Sequence, residues 1–302
     1  MTHPYASLSY AQSITRDGTP FAVPEWGCAV MSREIEIDLI DATGTYPMTV
    51  LSPSADLAGG LERLRQAKFV SIVIVLDDYH RPTLPELDRN FDFVRPFKTH
   101  YVVDREIGDV FPSRHHRYEI KKALSAVNAR GFDLFDELEQ WVGLYQHLSK
   151  RHRLQGVHDL PRRHHEMLSV LPGVRAVGAF LEDELLAAHL WVEDGVHVHS
   201  HLAASSPQGY AVGAAYAVND ASIRLFANSK IINLGGGAGY EDNPADGLVR
   251  FKMGFVNATA RSYLCGKILD KVNYARLSAA NTATSTFFPA YRAKVRPDIG
   301  EI

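Results

Sequence analysis

Several features that define specialised protein classes are scarce in this sequence. Its 302 residues include only two cysteines, Cys28 and Cys265, which are far apart and form no CxxC pair. A disulfide scaffold is therefore excluded, and a reducing compartment is expected. No stretch approaches about 18 uninterrupted apolar residues, and Met1 to Tyr10 lacks the basic and apolar regions of a signal peptide. We expect neither a membrane span nor secretion, and therefore a cytoplasmic protein.

The sequence also has no marked excess of positive or negative charge. Lysine and arginine number 32 against 35 aspartates and glutamates, a formal net charge of −3. This imbalance is too small to attract nucleic acid or anionic lipid by net charge alone. Apolar residues make up 46% of the chain and charged residues 22%, which is typical of a globular protein and excludes disordered and fibrous classes. At about 150 residues per domain, the length predicts roughly two domains.

Hydrophobic periodicity in the first half alternates between the strand and helix patterns. It predicts strands at 35–40, 69–76 and 99–103, and helices at 54–67 and 113–130. Ser113 is a suitable N-cap for the last of these helices, and Gly131 is placed to end it. This alternation indicates an α/β protein.

The second half begins with two predicted helices and then changes to the strand period. The predicted helices are 136–151, 161–171 and 212–227, and the predicted strands are 174–181, 185–192, 196–203 and 230–234. The first three of these strands are joined by short turns and should form hairpins. The strand, helix and strand that follow favour a parallel pair. A mixed sheet with helices packed against it is expected.

Two segments carry more than a generic α/β pattern. The strand at 231–234 runs into Gly235-Gly236-Gly237, and residues 247–255 read GLVRFKMGF. Together they resemble the LGGG…GLxRFKxGF signature of the Fem-like branch of the GNAT superfamily, which includes peptidoglycan-bridge aminoacyltransferases and many small N-acyltransferases. RYEIKKA at 117–123 resembles the RxxIRKA helix of that branch, and FFPAYR at 287–292 is similar to the ending of its smaller members.

The resemblance implies a fold and a reaction. The fold is α/β with two GNAT-like lobes and a groove between them, with a degenerate lobe over 1–116 and an acyltransferase lobe over 117–302. The reaction is transfer of an acyl group from an activated donor to an amine of a small molecule, sugar or peptide. Acyl-coenzyme A is the expected donor, and aminoacyl-tRNA is the alternative. The long helical arm of the peptidoglycan-bridge enzymes has no counterpart here.

Lys252 is the first candidate for a catalytic residue. Amide formation passes through a tetrahedral intermediate whose oxyanion is stabilised by fixed donors. The resemblance places the lysine of the RFK segment where it can bind that oxyanion or an acidic group of the substrate. Phe251 is a second candidate, which could pack against substrate, although an aromatic residue in a strand is commonly part of the core. Without the motif, Lys252 would be an ordinary exposed lysine.

The residues around this motif are candidates for substrate binding. Gly236 and Gly237 are expected to line the groove, because glycine lets a ligand approach the backbone closely. Tyr240 and Glu241 follow in the same loop, where an acidic group could hold an ammonium group. The planar guanidinium group of Arg250 could bind a phosphate or carboxylate group of the substrate. A structural ion pair would explain this arginine nearly as well.

Arg117 and Lys121 lie on one side of the RYEIKKA helix and are also candidates for substrate binding. They belong to a set of basic clusters in the middle third of the chain that could attract phosphate if they share a surface. A solvated helix surface accounts for such charges equally well.

A candidate coenzyme A site lies between the third of the paired strands and the next helix. There, N–H groups at the start of a helix would favour a pyrophosphate. The predicted binding residues are Gln208, Gly209, Gly213 and Ala214. The segment resembles a loosened Q/R-x-x-G-x-G/A loop, but Ala211 stands where the first glycine is required. Because of this departure, two alternatives stay open: the donor is an aminoacyl-tRNA, or the protein is a relative that binds substrate without catalysis.

His197, His199 and His201 alternate along one predicted strand and should project from one face. A metal site would need further ligands at set distances, and no HExxH motif is present, so no metal is expected. We expect this polar face to line the groove, with His199 or His201 as a base near neutral pH.

Overall fold

The computed structural model describes residues 3–14, 18–154, 160–239, 243, 245–279 and 287–295. Within these residues the strands are β1 Gly18–Val23, β2 Cys28–Glu36, β3 Leu39–Thr43, β4 Phe69–Asp77, β5 Phe93–Asp104, β6 Asn128–Phe132, β7 Val174–Leu181, β8 Glu184–Asp194, β9 His197–Ser205, β10 Ile231–Asn233 and β11 Ala258–Ile268. The α-helices are α1 Leu8–Ser13, α2 Leu57–Gln66, α3 Leu84–Asn90, α4 Arg114–Leu124, α5 Leu138–His152, α6 Arg162–Val170, α7 Pro207–Val212, α8 Ala214–Leu225, α9 Gly247–Met253 and α10 Lys271–Ser278.

The chain divides into two compact units. Unit 1 contains residues 1–97 and 262–302, and unit 2 contains residues 98–261. Both boundaries therefore fall inside strands, in β5 and in β11. The expected mixed α/β class is confirmed. The lobe boundary expected at 116/117 stays a prediction.

Unit 1 is built on a mixed sheet in the order β1-β2-β3-β4-β11. Its neighbouring strands are antiparallel except for β3 and β4, which are parallel. Helix α2 begins after its N-cap Asp56 and buries Leu57, Leu61 and Leu64 in the core of the unit. Burial of these apolar side chains is the main source of stability for so short a helix.

The FFPAYR segment ends in a buried ion cluster within unit 1. The carboxylate of Asp41 is fully buried, and it accepts hydrogen bonds from Nε of Arg33 at 3.0 Å and from Nε of Arg292 at 2.7 Å. The hydroxyl group of Tyr291 donates to the same carboxylate at 3.0 Å and lies 2.7 Å from Oγ of Ser71. The tyrosine and arginine that end this motif therefore serve the packing of unit 1.

Unit 2 contains the strands β5, β10, β9, β8, β7 and β6, which are neighbours in that order. Strands β9 and β10 are parallel, as the sequence predicts, and the other neighbours are antiparallel. The core contains side chains of the sheet, α4 and α8, with Trp191 and Phe255 fully buried. The indole N–H of Trp191 donates to Oγ of Ser222 on α8 at 3.0 Å.

The strand predicted at 35–40 is wrong. Strand β2 ends at Glu36, β3 begins at Leu39, and Asp38 between them has a φ of 64°. Ile37 is 85% exposed at this tight turn. The alternation of apolar and acidic residues here comes from two antiparallel strands and their turn.

The helix predicted at 113–130 ends earlier than expected. Ser113 is its N-cap, as predicted, with Oγ accepting from the backbone N–H of His116 at 3.2 Å. The helix stops at Leu124, and Gly131 pairs with Val177 in the β6–β7 ladder. The backbone of 128–132 bonds to β7, a nonlocal contact that local periodicity does not reveal.

Two further segments differ from the sequence prediction, both near the candidate site. The helix predicted at 212–227 is preceded by a separate helix, α7, and Gly213 between α7 and α8 has a φ of 70°. The RFK segment, treated above as a strand, lies on helix α9. Its N-cap Asp246 accepts the backbone N–H of Leu248 at 3.0 Å, which explains why the helix begins there.

Candidate active site

The centre of the candidate site is the loop that follows β10. Gly235 has a φ of 76°, a left-handed conformation that glycine adopts without steric cost. Its backbone N–H donates to Oδ1 of Asn233 at 2.8 Å, which fixes the start of the loop. A Cβ atom on Gly237 would lie 2.7 Å from Val249 of α9. Glycine is therefore needed at both positions, once for backbone conformation and once for close packing.

Asp246 connects this loop to helix α9. One carboxylate oxygen accepts the N–H of Ala238 at 2.9 Å, while the other caps the helix. A carboxylate at a helix N-terminus is also favoured by the helix dipole. Val249, 2% exposed, anchors the helix in the protein. The helix is thus held firmly beside the glycines.

Lys252 lies on α9 and reaches the glycine loop. Its Nζ donates to the carbonyl oxygen of Gly236 at 2.7 Å, so the structure brings together two of the predicted site residues. Burial lowers the pKa of Lys252 from 10.5 to about 8; Asp246 acts to raise this pKa, and Lys98 to lower it further. The side chain remains mostly charged at neutral pH. A half-buried ammonium group held by a fixed loop is suited to stabilise negative charge that develops on a substrate.

Lys98 was not singled out from the sequence. It lies on β5, is 7% exposed, and its Nζ lies 3.4 Å from the carbonyl oxygen of Gly237 and 3.3 Å from that of Ala238. No local motif marks it, because it is separated from the loop by about 140 positions. Only the β5–β10 pairing brings it here.

Phe251 contributes through its backbone and through packing. Its carbonyl oxygen accepts a hydrogen bond from Nε2 of His116 at 2.8 Å, and its ring belongs to an aromatic cluster with His116, Tyr216 and Phe255. A Cβ atom on Gly254 would lie 2.0 Å from the His116 ring, so the glycine of the motif makes room for this histidine. The predicted contact of Phe251 with substrate stays a prediction.

The strand histidines are buried in the protein. His199 is 3% and His201 is 6% exposed. The β8–β9 register shifts between the Leu190–Leu202 and Trp191–Ser200 pairs, so the regular alternation is interrupted at His201. Nε2 of His201 lies 3.2 Å from Nε2 of His164 on α6.

His201 and His164 are kept uncharged by their surroundings. Burial, followed by the charge of His165, lowers the pKa of His201 to about 3, and burial lowers the pKa of His164 well below its ordinary value. A group with such a low pKa is a weak base at neutral pH. The roles predicted for His199 and His201 as a general base stay predictions, and the low pKa of His201 argues against that residue.

A third buried histidine, His189 of β8, lies near the candidate site. Its Nε2 is 2.7 Å from Oγ of Ser200, and its ring packs against that of Trp191 in a tilted arrangement with a centroid distance of 3.9 Å. Burial, and secondarily the positive charge of Lys252, lower the pKa of His189 to about 3. The sequence offers no signal for it, since it stands in an otherwise apolar strand.

The segment predicted to bind coenzyme A is helical. Gly209 lies inside α7, where a Cβ atom would be 2.2 Å from the carbonyl oxygen of Leu186, so this glycine serves packing. The N–H of Gly209 donates to Oγ of Ser206 at 3.0 Å, and that of Gly213 donates to the carbonyl oxygen of Tyr210 at 3.2 Å. The open loop that the sequence indicated is therefore replaced by a short helix. The binding roles of Gln208, Gly209, Gly213 and Ala214 stay predictions.

The predicted basic residues are on the surface. Arg117 and Lys121 are exposed on α4 and line an open groove beside α8, with Ile120 and Leu124 supplying apolar surface. Arg250 is exposed on α9. Tyr240 and Glu241 lie outside the described residues. The binding roles of all five stay predictions.

Comparisons with known proteins identify the fold. No family model matches the chain, and no curated protein does. The C-terminal DUF2156 domain of a putative lysylphosphatidylglycerol synthetase from Agrobacterium fabrum matches with a TM-score of 0.63 and 10% identity, over 87% of this chain and 88% of that one. FemX matches with a TM-score of 0.60 and 10% identity, over 90% of this chain and 92% of that one.

A third solved structure agrees with these two. L-PGS from Bacillus licheniformis matches with a TM-score of 0.54 and 11% identity, over 87% of this chain and 92% of that one. The chain therefore shares the fold of these structures, FemX among them, and the Fem-like fold that the sequence resemblance indicated is confirmed. None of the helices in the described part of the chain is both long and apolar enough to cross a membrane.

Proposed function

We propose that this protein transfers an acyl or aminoacyl group from an activated donor to an amine, with Lys252 stabilising the oxyanion of the tetrahedral intermediate. The observation that carries the proposal is the position of Lys252, whose half-buried ammonium group is held on the glycine loop by a 2.7 Å bond to Gly236. The fold is compatible with this chemistry, since the structures that share it include FemX and lysylphosphatidylglycerol synthetase.

The proposed step forms one bond and breaks one. The neutral nitrogen of the acceptor attacks the donor's carbonyl carbon, and the carbonyl π electrons move onto oxygen. When the intermediate collapses, the bond from carbon to the donor's leaving oxygen or sulfur breaks, and the proton lost by nitrogen ends on the leaving group. An ammonium group carries three hydrogens, of which the Lys252 side chain uses one on Gly236. Another can then bond to the oxyanion.

We favour aminoacyl-tRNA as the donor over acyl-coenzyme A. A pyrophosphate would need backbone N–H groups at the start of a helix, and those of Gly209 and Gly213 are already hydrogen-bonded within their own segment. The name of lysylphosphatidylglycerol synthetase denotes a lysyl product, which supports an aminoacyl group. The exposed cations of α4 offer phosphate contacts despite the net charge of −3. Acyl-coenzyme A remains the second candidate.

The expected location is the cytoplasm. Cys28 and Cys265 are both buried free thiols, which is compatible with a reducing compartment. Burial raises the pKa of each thiol to about 12, so neither is a reactive thiolate.

The test replaces Lys252 and measures turnover with each donor class. With aminoacyl-tRNA or acyl-coenzyme A and a panel of amines, Lys252→Met should lower kcat about 10²- to 10³-fold, the usual effect of losing one oxyanion donor. Donor affinity should change little, because the lost interaction forms mainly in the transition state. Lys230→Met is the matched control: Lys230 is exposed and paired with Glu106 at 2.8 Å, and its loss should leave kcat unchanged.

The outcomes separate the competing functions. Turnover that is abolished by ribonuclease identifies the tRNA donor, and turnover with acyl-coenzyme A in its presence identifies the second candidate. Wild-type turnover by the Lys252→Met variant would refute the proposed mechanism. A wild-type protein that binds amines but turns over neither donor would indicate the non-catalytic relative.

A further inference from the structure

The loop between β10 and α9 presents three successive carbonyl groups to two ammonium groups. The carbonyl oxygen of Gly236 accepts from Lys252, and those of Gly237 and Ala238 lie 3.4 and 3.3 Å from Nζ of Lys98. The two lysines come from different elements, α9 and β5. The backbone of this loop is therefore bound by two positively charged side chains.

The packing of the loop against β5 leaves little freedom for this arrangement. A Cβ atom on Gly236 would lie 3.2 Å from the carbonyl oxygen of Thr99 and 3.6 Å from Cβ of Lys98. The N–H of Tyr101 donates to the carbonyl oxygen of Gly235 at 3.2 Å. Strand β5 thus contacts the loop through backbone and side chain together, and Lys98 is the charged member of that contact.

We propose that Lys98 is a positioning residue for Lys252: by binding the carbonyl groups of Gly237 and Ala238, it sets the loop so that the carbonyl group of Gly236 holds the Lys252 ammonium in place. This inference deepens the proposed function and rests on it for its catalytic meaning. The geometric part concerns the loop and Lys252 alone. It can therefore be tested without any substrate.

The charge of Lys98 has a second consequence at Lys252. Two ammonium groups near one another disfavour the charged form of each. Asp246 opposes this effect on Lys252, and the neutral His189 is the third titratable group that interacts with it. Removing the charge at Lys98 should accordingly raise the pKa of Lys252 from about 8 toward its ordinary value of 10.5. A larger fraction of Lys252 would then be protonated and unreactive near neutral pH.

The experiment measures both consequences on the purified full chain. Trace labelling with acetic anhydride, followed by peptide mass spectrometry, reports the fraction of neutral Lys252 against Lys230 as an internal reference. For Lys98→Met we expect the labelling of Lys252 at pH 7 to fall about threefold, since each pKa unit changes the neutral fraction about tenfold. Hydrogen exchange of the 234–239 segment should become faster, because two of its carbonyl groups lose their donor.

Lys98→Arg is the matched variant, because it keeps the charge and the donors. We expect it to restore wild-type labelling and exchange. Unchanged labelling in Lys98→Met, or an equal fall in Lys98→Arg, would overturn the proposal. So would a fall in labelling with wild-type exchange, since that result would remove the positioning role. If Lys98→Met does not fold, Lys98→Gln replaces it, with the same expected results.

The measurement is independent of turnover. If Lys98→Met changes labelling and exchange while Lys252→Met retains full turnover, the proposed function fails and the positioning of Lys252 stands. If Lys252 proves essential for turnover and Lys98→Met leaves labelling and exchange unchanged, the proposed function stands and the positioning role of Lys98 fails.

Discussion

Each of the two compact units removes a charged side chain from solvent, Asp41 fully and Lys252 in part, and the surroundings of the two groups differ. In unit 1, the carboxylate of Asp41 is fully buried and accepts hydrogen bonds from two guanidinium groups and a tyrosine hydroxyl. In unit 2, the ammonium group of Lys252 is bonded to a single carbonyl oxygen among the described residues, and Lys98 brings a second positive charge.

These surroundings distinguish a buried charge that stabilises the fold from a half-buried charge that is suited to take part in a reaction. A buried carboxylate surrounded by donors is fully compensated, so its removal damages the fold. A half-buried ammonium group beside another one is destabilised in its charged form, and such arrangements are common at functional sites. Substitution should therefore have opposite effects on stability in the two units.

The largest effect is expected at Asp41. Asp41→Asn removes the negative charge while leaving Arg33 and Arg292 in place, which should lower the free energy of unfolding by about 3–5 kcal/mol. Urea denaturation at neutral pH measures it. Glu36→Gln is the control, because Glu36 pairs with Arg276 at 2.9 Å on the surface, where such a pair is worth at most about 1 kcal/mol. Equal losses in the two variants would contradict a special role of the buried carboxylate in stability.

At Lys252 we expect the opposite change, an increase in the free energy of unfolding on substitution. Its folded-state pKa of about 8 lies below the ordinary 10.5, so at neutral pH the charged group destabilises the folded chain. Lys252→Met should therefore raise the free energy of unfolding at pH 7 by about 1–3 kcal/mol while it lowers kcat about 10²- to 10³-fold. Between pH 8 and 10.5, Lys252 loses its proton in the folded chain but keeps it in the unfolded chain, so the wild-type protein gains stability as the pH rises. The stability advantage of Lys252→Met over the wild type should therefore shrink in this range.

Denaturation in urea at pH 7 and at pH 10 tests the sign. Lys230→Met should show no comparable gain, since Lys230 is exposed and paired with Glu106. A variant at Lys252 that is less stable than wild type at pH 7 would mean that the ammonium group is structural, like Asp41.

The effect of the buried histidines of unit 2 is absent at neutral pH and appears only in acid. The pKa of His201 is about 3 in the folded chain, below its ordinary 6.5, so the unfolded chain binds a proton that the folded chain excludes between these values. Stability should fall by up to about 1.4 kcal/mol for each pH unit below 6.5 on account of this one site.

His201→Phe keeps a ring and removes the titration, so its stability should decline less steeply between pH 6.5 and 4 in thermal or urea unfolding. His147→Gln, at an exposed position on α5, should leave the slope unchanged. If the stability of His201→Phe declines with falling pH as steeply as that of the wild type, His201 is able to bind a proton in the folded chain.

The sequence predicted the elements that depend on local patterns. Ser113 caps α4 as expected, strand β7 has the predicted bounds Val174–Leu181, and β9 pairs in parallel with β10. The motif residues Gly236 and Lys252 are in direct contact. These features are readable because capping, apolar periodicity and a shared motif each leave a signal within a short stretch of chain.

Other residues of the candidate site left no such signal. Lys98, His116 and His189 reach it from β5, α4 and β8, and each looks like an ordinary residue of its element. Helix α7 was missed for the same reason, that a contact between distant residues leaves no local signal. Gly209 is required there because its backbone packs closely against Leu186. The same reason explains the early end of α4, since residues 128–132 pair with a strand some 45 positions away.

By itself, then, the amino-acid sequence determined the mixed α/β class, the Fem-like glycine loop and the lysine placed beside it, because these rest on periodicity and on neighbours in the chain. Tertiary structure alone decided what surrounds that lysine. Burial and a second ammonium group brought in by strand pairing lower its pKa, and neither exists until residues far apart in the chain are packed together.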